Sequence, residues 1–564
     1  MWSSSEKLIS SGQHFYGAWT LCLRWKSAFQ QAAVANHSSV RHSNRRMSKR
    51  FYITTAIDYV NGQPHLGHAY EKIVADVIAR SRRSFGQEVF FLTGLDEHGQ
   101  KVQQAAVAEG KTPQVYCDDL AAIWKAFIAK LDLTNDDFVR TTEVRHKTVV
   151  QAILSKLHTE GHFYREMYRG FYSAKEETFL TDKDRGPDGK FDPSYGDVIE
   201  LEEENYYFRL KAHQQWLIDY IEKNPAFVYP ESRRNEVLGF LKHNVLEDLC
   251  ITRPANRLNW GIPVPFDPNY VTYVWFDALV NYISIPAALA DPVAGPAVNF
   301  QPSTINHPLS AWPADIHLIG KDILKFHSVY WPIMLKAMGA PLPKQIVAHG
   351  WWQKDGAKMS KTTGNVVDPI AVINEWGVDA FRFYVIRELD IGPDGNWTDE
   401  GFKARYKAEL ADALGNLVNR SLSMLKRYRN GSVPAQSNEL KTDAEKVVSE
   451  TRSLLEQNQL QAALQSIWSL VTRANQYVDH TAPFKLAKDP TKTARLDEVL
   501  YNLAEVCRVL AVLLWPFLPG TASKIYSQLG LVGAPDKFAE ATWGGLKSGL
   551  SIGTPAALFP KKET

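Results

Sequence analysis

From Phe51 onward the chain repeats one pattern: a short apolar segment, a loop that contains glycine, and a stretch with helical spacing. "FYITTAI" is rich in β-branched and aromatic residues, which predicts a buried strand. The loop "DYVNGQPHLGH" follows, and then Ile73, Val74, Val77 and Ile78 recur at helical spacing. Strand, loop and helix in this order predict a parallel sheet of the Rossmann type.

The pattern recurs downstream. "EVFFLTG" predicts a second strand, "DEHGQKVQQAAVAEG" a second helix, and "DIHLIG" and "QIVAHG" are short apolar runs that end in glycine. No GxGxxG follows the first strand, so the sequence does not favour a dinucleotide site.

Two regions depart from this pattern. Between about residues 140 and 260 the chain is acidic, turn-rich and then aromatic, which predicts an insertion between the two halves of the sheet. After about residue 400 strands disappear, and apolar residues keep helical spacing, as at Leu503, Val506, Leu510 and Leu513. We therefore predict an α/β catalytic domain over 49–395 and an all-α helical bundle over 396–564.

The first fifty residues have a different composition. They carry eight basic residues against one acid, Glu6, and are rich in serine. Such a composition is typical of a mitochondrial transit segment, which we place at residues 1–48. The alternative is a disordered basic tail on a cytosolic protein.

The rest of the composition excludes several classes of site. The net charge is only +2, so a nucleic-acid site must be a local patch. The four cysteines are scattered without a CxxC pair, which predicts neither a zinc knuckle nor a disulfide framework. The longest strongly apolar run, near "VLAVLLW", is far shorter than the roughly 20 residues of a membrane span.

Two histidines, His65 and His68, lie three residues apart at the predicted start of the first helix. At this spacing both rings can face one site, and backbone N–H groups at a helix start already favour phosphate oxygens. Paired histidines here are also common as helix caps or as solvated surface groups. The pair alone leaves both interpretations open.

The second candidate is "WWQKDGAKMSKTTGNVVDP", where Lys358 and Lys361 lie between Gly356 and Gly364. A lysine-rich loop between glycines is most often a solvated surface turn. Nucleotidyl transfer, however, needs cations that reach the charge developing on the phosphates. A glycine-flanked loop can also close on ATP and then release pyrophosphate. Together, the two stretches predict a triphosphate site with histidines on one side and lysines on the other.

These residues carry a resemblance. "PHLGH" followed far downstream by "KMSKT" resembles the paired motifs of class I aminoacyl-tRNA synthetases. Other stretches narrow the resemblance to the methionyl-tRNA synthetases: "AIDYVNGQPHLGHAYEKIVADVIAR", "FLTGLDEHG", "ENYYFRL", "WGIPVP", "YVWFDALVNYIS", "HLIGKDILKFHSVYWPIML" and "KMSKTTGN". It runs from about Phe51 into the C-terminal helices. It implies activation of methionine with ATP to methionyl-adenylate, and transfer of the methionyl group to the 3′ end of tRNA(Met).

The resemblance also implies roles for individual residues. ATP contacts fall on His65, Gly67, His68, Lys358, Met359, Ser360 and Lys361. Of these seven residues, the resemblance implies a catalytic role for four: His65, His68, Lys358 and Lys361. ATP is expected to enter with Mg²⁺.

Methionine contacts fall on Ile57, Tyr59, Asp96, Trp275, Ala278, Tyr282, Ile323 and His327. An unbranched thioether suits apolar and aromatic walls, and Asp96 suits the substrate ammonium. Core packing is the alternative for Trp275 and Tyr282.

One departure concerns metal binding. Many family members carry zinc-binding cysteine knuckles in the insertion, whereas this chain has Ser173 and Glu176 where cysteines might stand. We therefore expect no structural zinc.

In the C-terminal helices, the resemblance implies an anticodon-binding surface. It falls on Asn416, Asn419, Arg420, Asn475, Pro483 and Phe484. The family often has tryptophan at the position of Phe484; stacking survives that change, but the indole N–H is lost. The alternative is an ordinary polar helix face.

The sequence thus predicts a monomeric mitochondrial member of this family, with no membrane association. Two other functions stay open here. A small-molecule nucleotidyltransferase would have no use for so long a helical region. A non-catalytic tRNA-binding paralogue would be expected to lose His65, His68 or Lys361, and all three are present.

Overall fold

The structure is a computed structural model, and it describes residues 50–60, 62–173, 178–180, 182–290, 311–359 and 365–562. Residues from Arg50 onward form one compact unit. The predicted transit segment lies outside the described residues. No helix of the described chain is long and apolar enough to cross a membrane.

In the described residues the strands are, in chain order, β1 (Arg50–Thr55), β2 (Asp58–Tyr59), β3 (Glu88–Asp96), β4 (Asp137–Arg140), β5 (Phe163–Ser173), β6 (Thr178–Leu180), β7 (Val198–Phe208), β8 (Val228–Tyr229), β9 (Leu249–Cys250), β10 (Thr252–Pro254), β11 (Tyr270–Thr272), β12 (Ile316–Gly320), β13 (Ile346–His349), β14 (Trp352–Lys354), β15 (Ala357–Lys358) and β16 (Gly395–Trp397).

Seven of these strands form a parallel sheet in the order β2–β3–β1–β12–β13–β8, with β4 beside β3. The four segments predicted as strands correspond to β1, β3, β12 and β13, which confirms the predicted parallel sheet. Because β1 and β12 are neighbours in the sheet but far apart in sequence, a change of winding direction lies between them. In such sheets ligands bind beyond the carboxyl ends of the strands.

The helices that accompany the sheet are Leu66–Ser84, Gln100–Ala108, Pro113–Lys130, Val144–Thr159, Gln214–Lys223, Glu231–His243, Val274–Ala290, Trp331–Met338, Pro369–Trp376 and Val378–Glu388. The first of them buries the predicted stripe Ile73, Val74, Val77 and Ile78. One apolar cluster covers this face of the sheet and continues into the C-terminal helices. A second cluster covers the other face.

Within the predicted insertion, β6, β5, β7 and β9 form an antiparallel sheet. The guanidinium of Arg185 lies over the rings of both Phe171 and Phe191, at 4.6 and 4.2 Å from their centroids, so cation–π contacts contribute to the packing of this part. The limits 140–260 stay a prediction. Helix Val144–Thr159 and β8 fall inside them, yet the helix packs in the second cluster and β8 pairs with β13 in the main sheet.

The last strand of the described chain ends at Trp397, and helices follow. They are Asp399–Arg405, a π-helical segment Tyr406–Gly415, Asn416–Arg429, Lys441–Glu456, Leu460–Thr481, Pro483–Leu486, Thr493–Leu514 and Pro519–Gln528. This confirms the predicted all-α region. The boundary at 395/396 stays a prediction, because the first apolar cluster runs across it.

Candidate active site

The first helix begins with the predicted histidine pair. His65 is its N-cap residue, and its Nδ1 accepts from the backbone N–H of Gly67 at 3.1 Å. In return, Nδ1 of His68 accepts from the backbone N–H of His65 at 3.2 Å, and the two rings stack 3.7 Å apart. A ring nitrogen that accepts carries no hydrogen, so each neutral ring has its N–H on Nε2. The two interpretations of the pair are therefore compatible: one nitrogen caps the helix and the other is a donor.

The loop between β1 and this helix brings two predicted methionine contacts together. Strand β2 pairs with the end of β3, and the register places Tyr59 beside Asp96. Asp96 is buried, and Ile57 is half-buried against the second apolar cluster.

Most of the remaining methionine contacts lie on helix Val274–Ala290 and in the turn after β12. The hydroxyl of Tyr282 is 2.7 Å from Nε2 of His327. Nδ1 of His327 lies 3.0 Å from the carbonyl of Ile323, which can only accept, so Nδ1 carries the hydrogen and Nε2 accepts from Tyr282. Burial lowers the pKa of His327 to about 4, which favours this neutral ring.

Trp275 has an aromatic partner that the sequence did not indicate. The ring of Trp275 stacks on Phe326 at 3.7 Å with an interplanar angle of 7°, and both side chains are partly exposed. Ala278, by contrast, is buried. A flat, partly exposed aromatic pair is suited to forming the wall of an apolar pocket.

The lysine loop is described in part. β14 and β15 form a hairpin that pairs Gln353 with Lys358, and Met359 packs against the first apolar cluster. The predicted contacts at Ser360 and Lys361 lie outside the described residues. β14 lies between β15 and β16 and pairs with β16 in parallel. The strand that ends at Lys358 is therefore connected, through β14 and β16, to the start of the helical region.

Sequence reasoning missed a cluster under the histidine pair, formed by Asp58, Glu71, Lys72 and His349. All four are buried. Burial raises the pKa of Asp58 to about 7, although the Lys72 ammonium opposes that shift. A signal was present in the sequence: Lys72, Asp76 and Arg80 recur every four residues on a helix whose other positions are largely apolar.

It also missed the residues that follow β12 and β13. Lys321 forms an ion pair with Asp394 at 2.7 Å and lies over the exposed ring of Trp351, whose Nε1 donates to Asp322 at 3.3 Å. These polar and aromatic groups occupy the carboxyl edge of the sheet, where a ligand is expected. A cleft of about 640 Å³ lies next to His65 and is lined in part by Phe127.

The predicted anticodon residues lie on three helices: Asn416–Arg429, Leu460–Thr481 and the short helix Pro483–Leu486. Arg420 donates to Oδ1 of Asn475 at 2.9 Å, and the Asn475 amide donates to the carbonyl of Val471 at 3.0 Å. Asn416 and Asn419 are exposed on the same helix as Arg420. Pro483 is buried, and the ring of Phe484 is 51% exposed.

Comparison with known proteins shows the class to which the chain belongs. A family model described as "tRNA synthetases class I (M)" matches residues 51–201 and 195–422. A second, described as "Anticodon binding domain of methionyl tRNA ligase", matches residues 429–564. The chain belongs to the class I methionyl-tRNA synthetases.

Two relatives and one solved structure illustrate the similarity. Methionine–tRNA ligase of Bacillus subtilis is 42% identical over 533 residues, covering 91% of this chain and 78% of the relative. That of Rhizobium meliloti is 41% identical over 529 residues, covering 92% and 99%. The structure of Mycobacterium tuberculosis methionyl-tRNA synthetase in complex with methionyl-adenylate has a TM-score of 0.84 and 37% identity, covering 91% of this chain and 100% of its own.

Membership in the methionyl-tRNA synthetases gives the reaction. The enzyme is a methionine–tRNA ligase that activates methionine with ATP and joins it to tRNA. The roles of the individual site residues stay predictions. In the described residues no group of three or more His, Cys, Asp or Glu side chains is arranged to hold a metal ion.

Proposed function

We propose that this synthetase charges tRNA(Met) for mitochondrial translation. Adenylate formation would take place at the carboxyl edge of the parallel sheet, and the anticodon would be read on the helices after residue 396. The observation that carries the catalytic part is the His65–His68 pair, whose Nδ1 atoms accept from backbone N–H groups. Two Nε2–H donors at a helix start suit the oxygens of a triphosphate.

The protein need not supply a nucleophile, because the methionine carboxylate attacks the α-phosphate. Its contribution is alignment and stabilisation of charge. His65 and His68 would hold the phosphates and the ribose region, and Asp96 the methionine ammonium. Lys358 and Lys361 would stabilise the leaving pyrophosphate, with Mg²⁺ entering as part of the ATP substrate complex.

The direct test of this assignment is ATP–pyrophosphate exchange with and without methionine. Exchange that depends on methionine is expected, and aminoacylation of tRNA(Met) should follow. Exchange without methionine would indicate a different nucleotidyltransferase, and no exchange with intact tRNA binding would indicate a non-catalytic paralogue.

The mitochondrial part of the proposal is supported by the basic, serine-rich composition of residues 1–50. Fused to a fluorescent reporter, this segment should direct the reporter to mitochondria. A matched segment with its eight Lys and Arg residues changed to Gln should leave the reporter in the cytosol. A cytosolic location of the unmodified fusion would contradict the proposal.

We also propose that the insertion holds its shape without zinc. Ser173 is buried, and its hydroxyl donates to the carbonyl of Tyr195 at 2.6 Å; Glu176 lies outside the described residues. Elemental analysis of purified protein should find no stoichiometric zinc, and chelators should leave activity unchanged. One zinc per chain would overturn this statement.

A further inference from the structure

Lys72 lies on the first helix, one turn after His68, and its side chain is fully buried. Its ammonium is 2.9 Å from Oδ2 of Asp58, 3.0 Å from Oε1 of Glu71 and 3.0 Å from the carbonyl of Ala56. The ammonium donates to Glu71 and to the Ala56 carbonyl, and its contact with Asp58 is an ion pair. Burying a charge is costly unless it is paired, and these three partners offset that cost.

Two of the three partners of Lys72 belong to one short loop. Ala56 and Asp58 flank Ile57, and Asp58 immediately precedes Tyr59. Backbone bonds hold both ends of this loop: Ala56 N–H donates to the carbonyl of Leu318, Val60 N–H donates to that of Asp96, and β2 pairs with β3 over two residues. The Lys72 ammonium adds a side-chain tether between these ends, in the segment that carries two of the predicted methionine contacts.

Glu71, the third partner of Lys72, connects the cluster to the other half of the sheet. Oε2 of Glu71 is 3.1 Å from Nε2 of His349, the last residue of β13. Nδ1 of His349 is 2.8 Å from the carbonyl of Gly350 and must donate to it. Through this pair the cluster contacts the strand that leads to the lysine loop.

We propose that Lys72 is a positioning residue for methionine: its ammonium holds the loop Ala56–Tyr59 in the conformation that binds the substrate. Lys72 touches neither methionine nor ATP in this scheme. The inference rests on the methionine contacts proposed for Ile57 and Tyr59. Without the ammonium, the two buried carboxyl groups lose their common counter-ion: Asp58 is left near the His68 imidazole at 3.8 Å, and Glu71 beside His349 at 3.1 Å. The loop also loses the side-chain contact that joins Ala56 to Asp58.

The test is Lys72→Met, which keeps the length of the side chain and removes the charge. In ATP–pyrophosphate exchange, KM for methionine should rise about tenfold to a hundredfold, because a small displacement of a binding loop has effects of this size. The kcat value at saturating methionine should stay within about threefold of the unmodified enzyme. An unchanged KM for methionine in a folded Lys72→Met protein would overturn the proposal.

Arg80→Met is the matched control. Arg80 is buried on the same helix and pairs with Asp76 at 2.8 Å, but its contacts are away from the loop. This variant should lose stability and keep its KM for methionine. If its KM rises as much as that of Lys72→Met, the effect comes from loss of a buried charge on the helix in general, and the proposal is wrong.

A double-mutant cycle with Asp58→Asn separates positioning from general damage. If Lys72 acts through Asp58, the two substitutions should be strongly non-additive in their effect on KM for methionine. Additive effects would contradict the proposal. If Lys72→Met does not fold, Asp58→Asn alone decides, because it should raise this KM about threefold to tenfold. Absence of methionine-dependent exchange in the unmodified enzyme would instead contradict the proposed function itself.

Discussion

The carboxyl edge of the parallel sheet and the Arg420 surface of the helical region both carry predicted ligand contacts, but they hold their polar groups differently. At the sheet edge, Lys72 and His349 are buried, and their partners are other buried side chains. On the helical surface, Asn419 and Phe484 are exposed. Substitution of these buried groups at the edge should therefore disturb stability as well as substrate binding, whereas substitution on the surface should disturb recognition alone.

The sheet region and the helical region are joined at Arg382, whose side chain is fully buried. Its guanidinium donates to Asp76 of the first helix at 2.7 Å, and to the carbonyls of Leu131, Pro516 and Phe517. Burial by itself would raise the pKa of Asp76, but Arg382 and Arg80 outweigh it and hold that pKa below its usual value. The helix that begins at the histidine pair is thus fastened to the helical region at its middle.

The largest effect on stability is expected from Arg382→Met. Breaking a buried ion pair by removing one partner costs about 3–5 kcal/mol, because the remaining charge stays buried. Chemical denaturation should report this loss. The control is Arg387→Met, whose partly exposed pair with Glu409 at 3.0 Å should contribute at most about 1 kcal/mol. Equal losses in the two variants would show that burial of the Arg382 ion pair does not increase its contribution to stability.

The next largest effect is expected from Lys361→Ala, on chemistry rather than stability. Loss of one charged contact in the transition state costs about 3–4 kcal/mol, a few powers of ten in the rate of adenylate formation. Methionine affinity should change little. Stopped-flow or exchange measurements check this, and a normal rate would contradict the assignment of this lysine to the leaving pyrophosphate.

On the helical surface, Phe484→Ala should affect recognition of tRNA alone. Loss of one stacked base costs about 1–3 kcal/mol, which corresponds to roughly a ten- to hundredfold loss in aminoacylation efficiency. Methionine-dependent exchange should stay the same, and Arg420→Ala should behave likewise. If exchange and charging fall in parallel, the surface is coupled to the fold as strongly as the sheet edge is, and the contrast between the two regions fails.

The last prediction concerns pH. Burial lowers the pKa of four histidines in the sheet region: His98 and His146 to about 3, His327 to about 4, and His317 well below its usual value. The unfolded chain protonates these rings below about pH 6.5 while the folded chain does not, so stability falls as pH falls from 6.5 towards 3–4. Each ring contributes about 1.4 kcal/mol per pH unit in that window.

Denaturation curves between pH 7 and pH 5 would check this dependence. In His146→Gln, the number of protons taken up on unfolding should be smaller by about one. A dependence that is unchanged in His146→Gln would contradict the account for that residue.

Local pattern was sufficient for much of the fold. The β-branched and aromatic run from Phe51 and the helical stripe at Ile73 predicted β1 and the first helix, and the apolar spacing after residue 400 predicted the helical region. These features depend on residues that are close together in the chain, and the helical period of 3.6 residues is set by backbone geometry. The motif stretches around His65 and Lys358 likewise pointed to the reaction class through resemblance.

Tertiary structure alone decided which charged residues are buried together. Asp58, Lys72 and His349 are distant in sequence, and each would be an ordinary solvated side chain on an isolated element. They meet because β2, the first helix and the end of β13 come together at the carboxyl edge of the sheet. The stack of Trp275 on Phe326 arises in the same way. The cost of burying a charge, and the contact that offsets it, depend on partners from other segments, and no local pattern contains them.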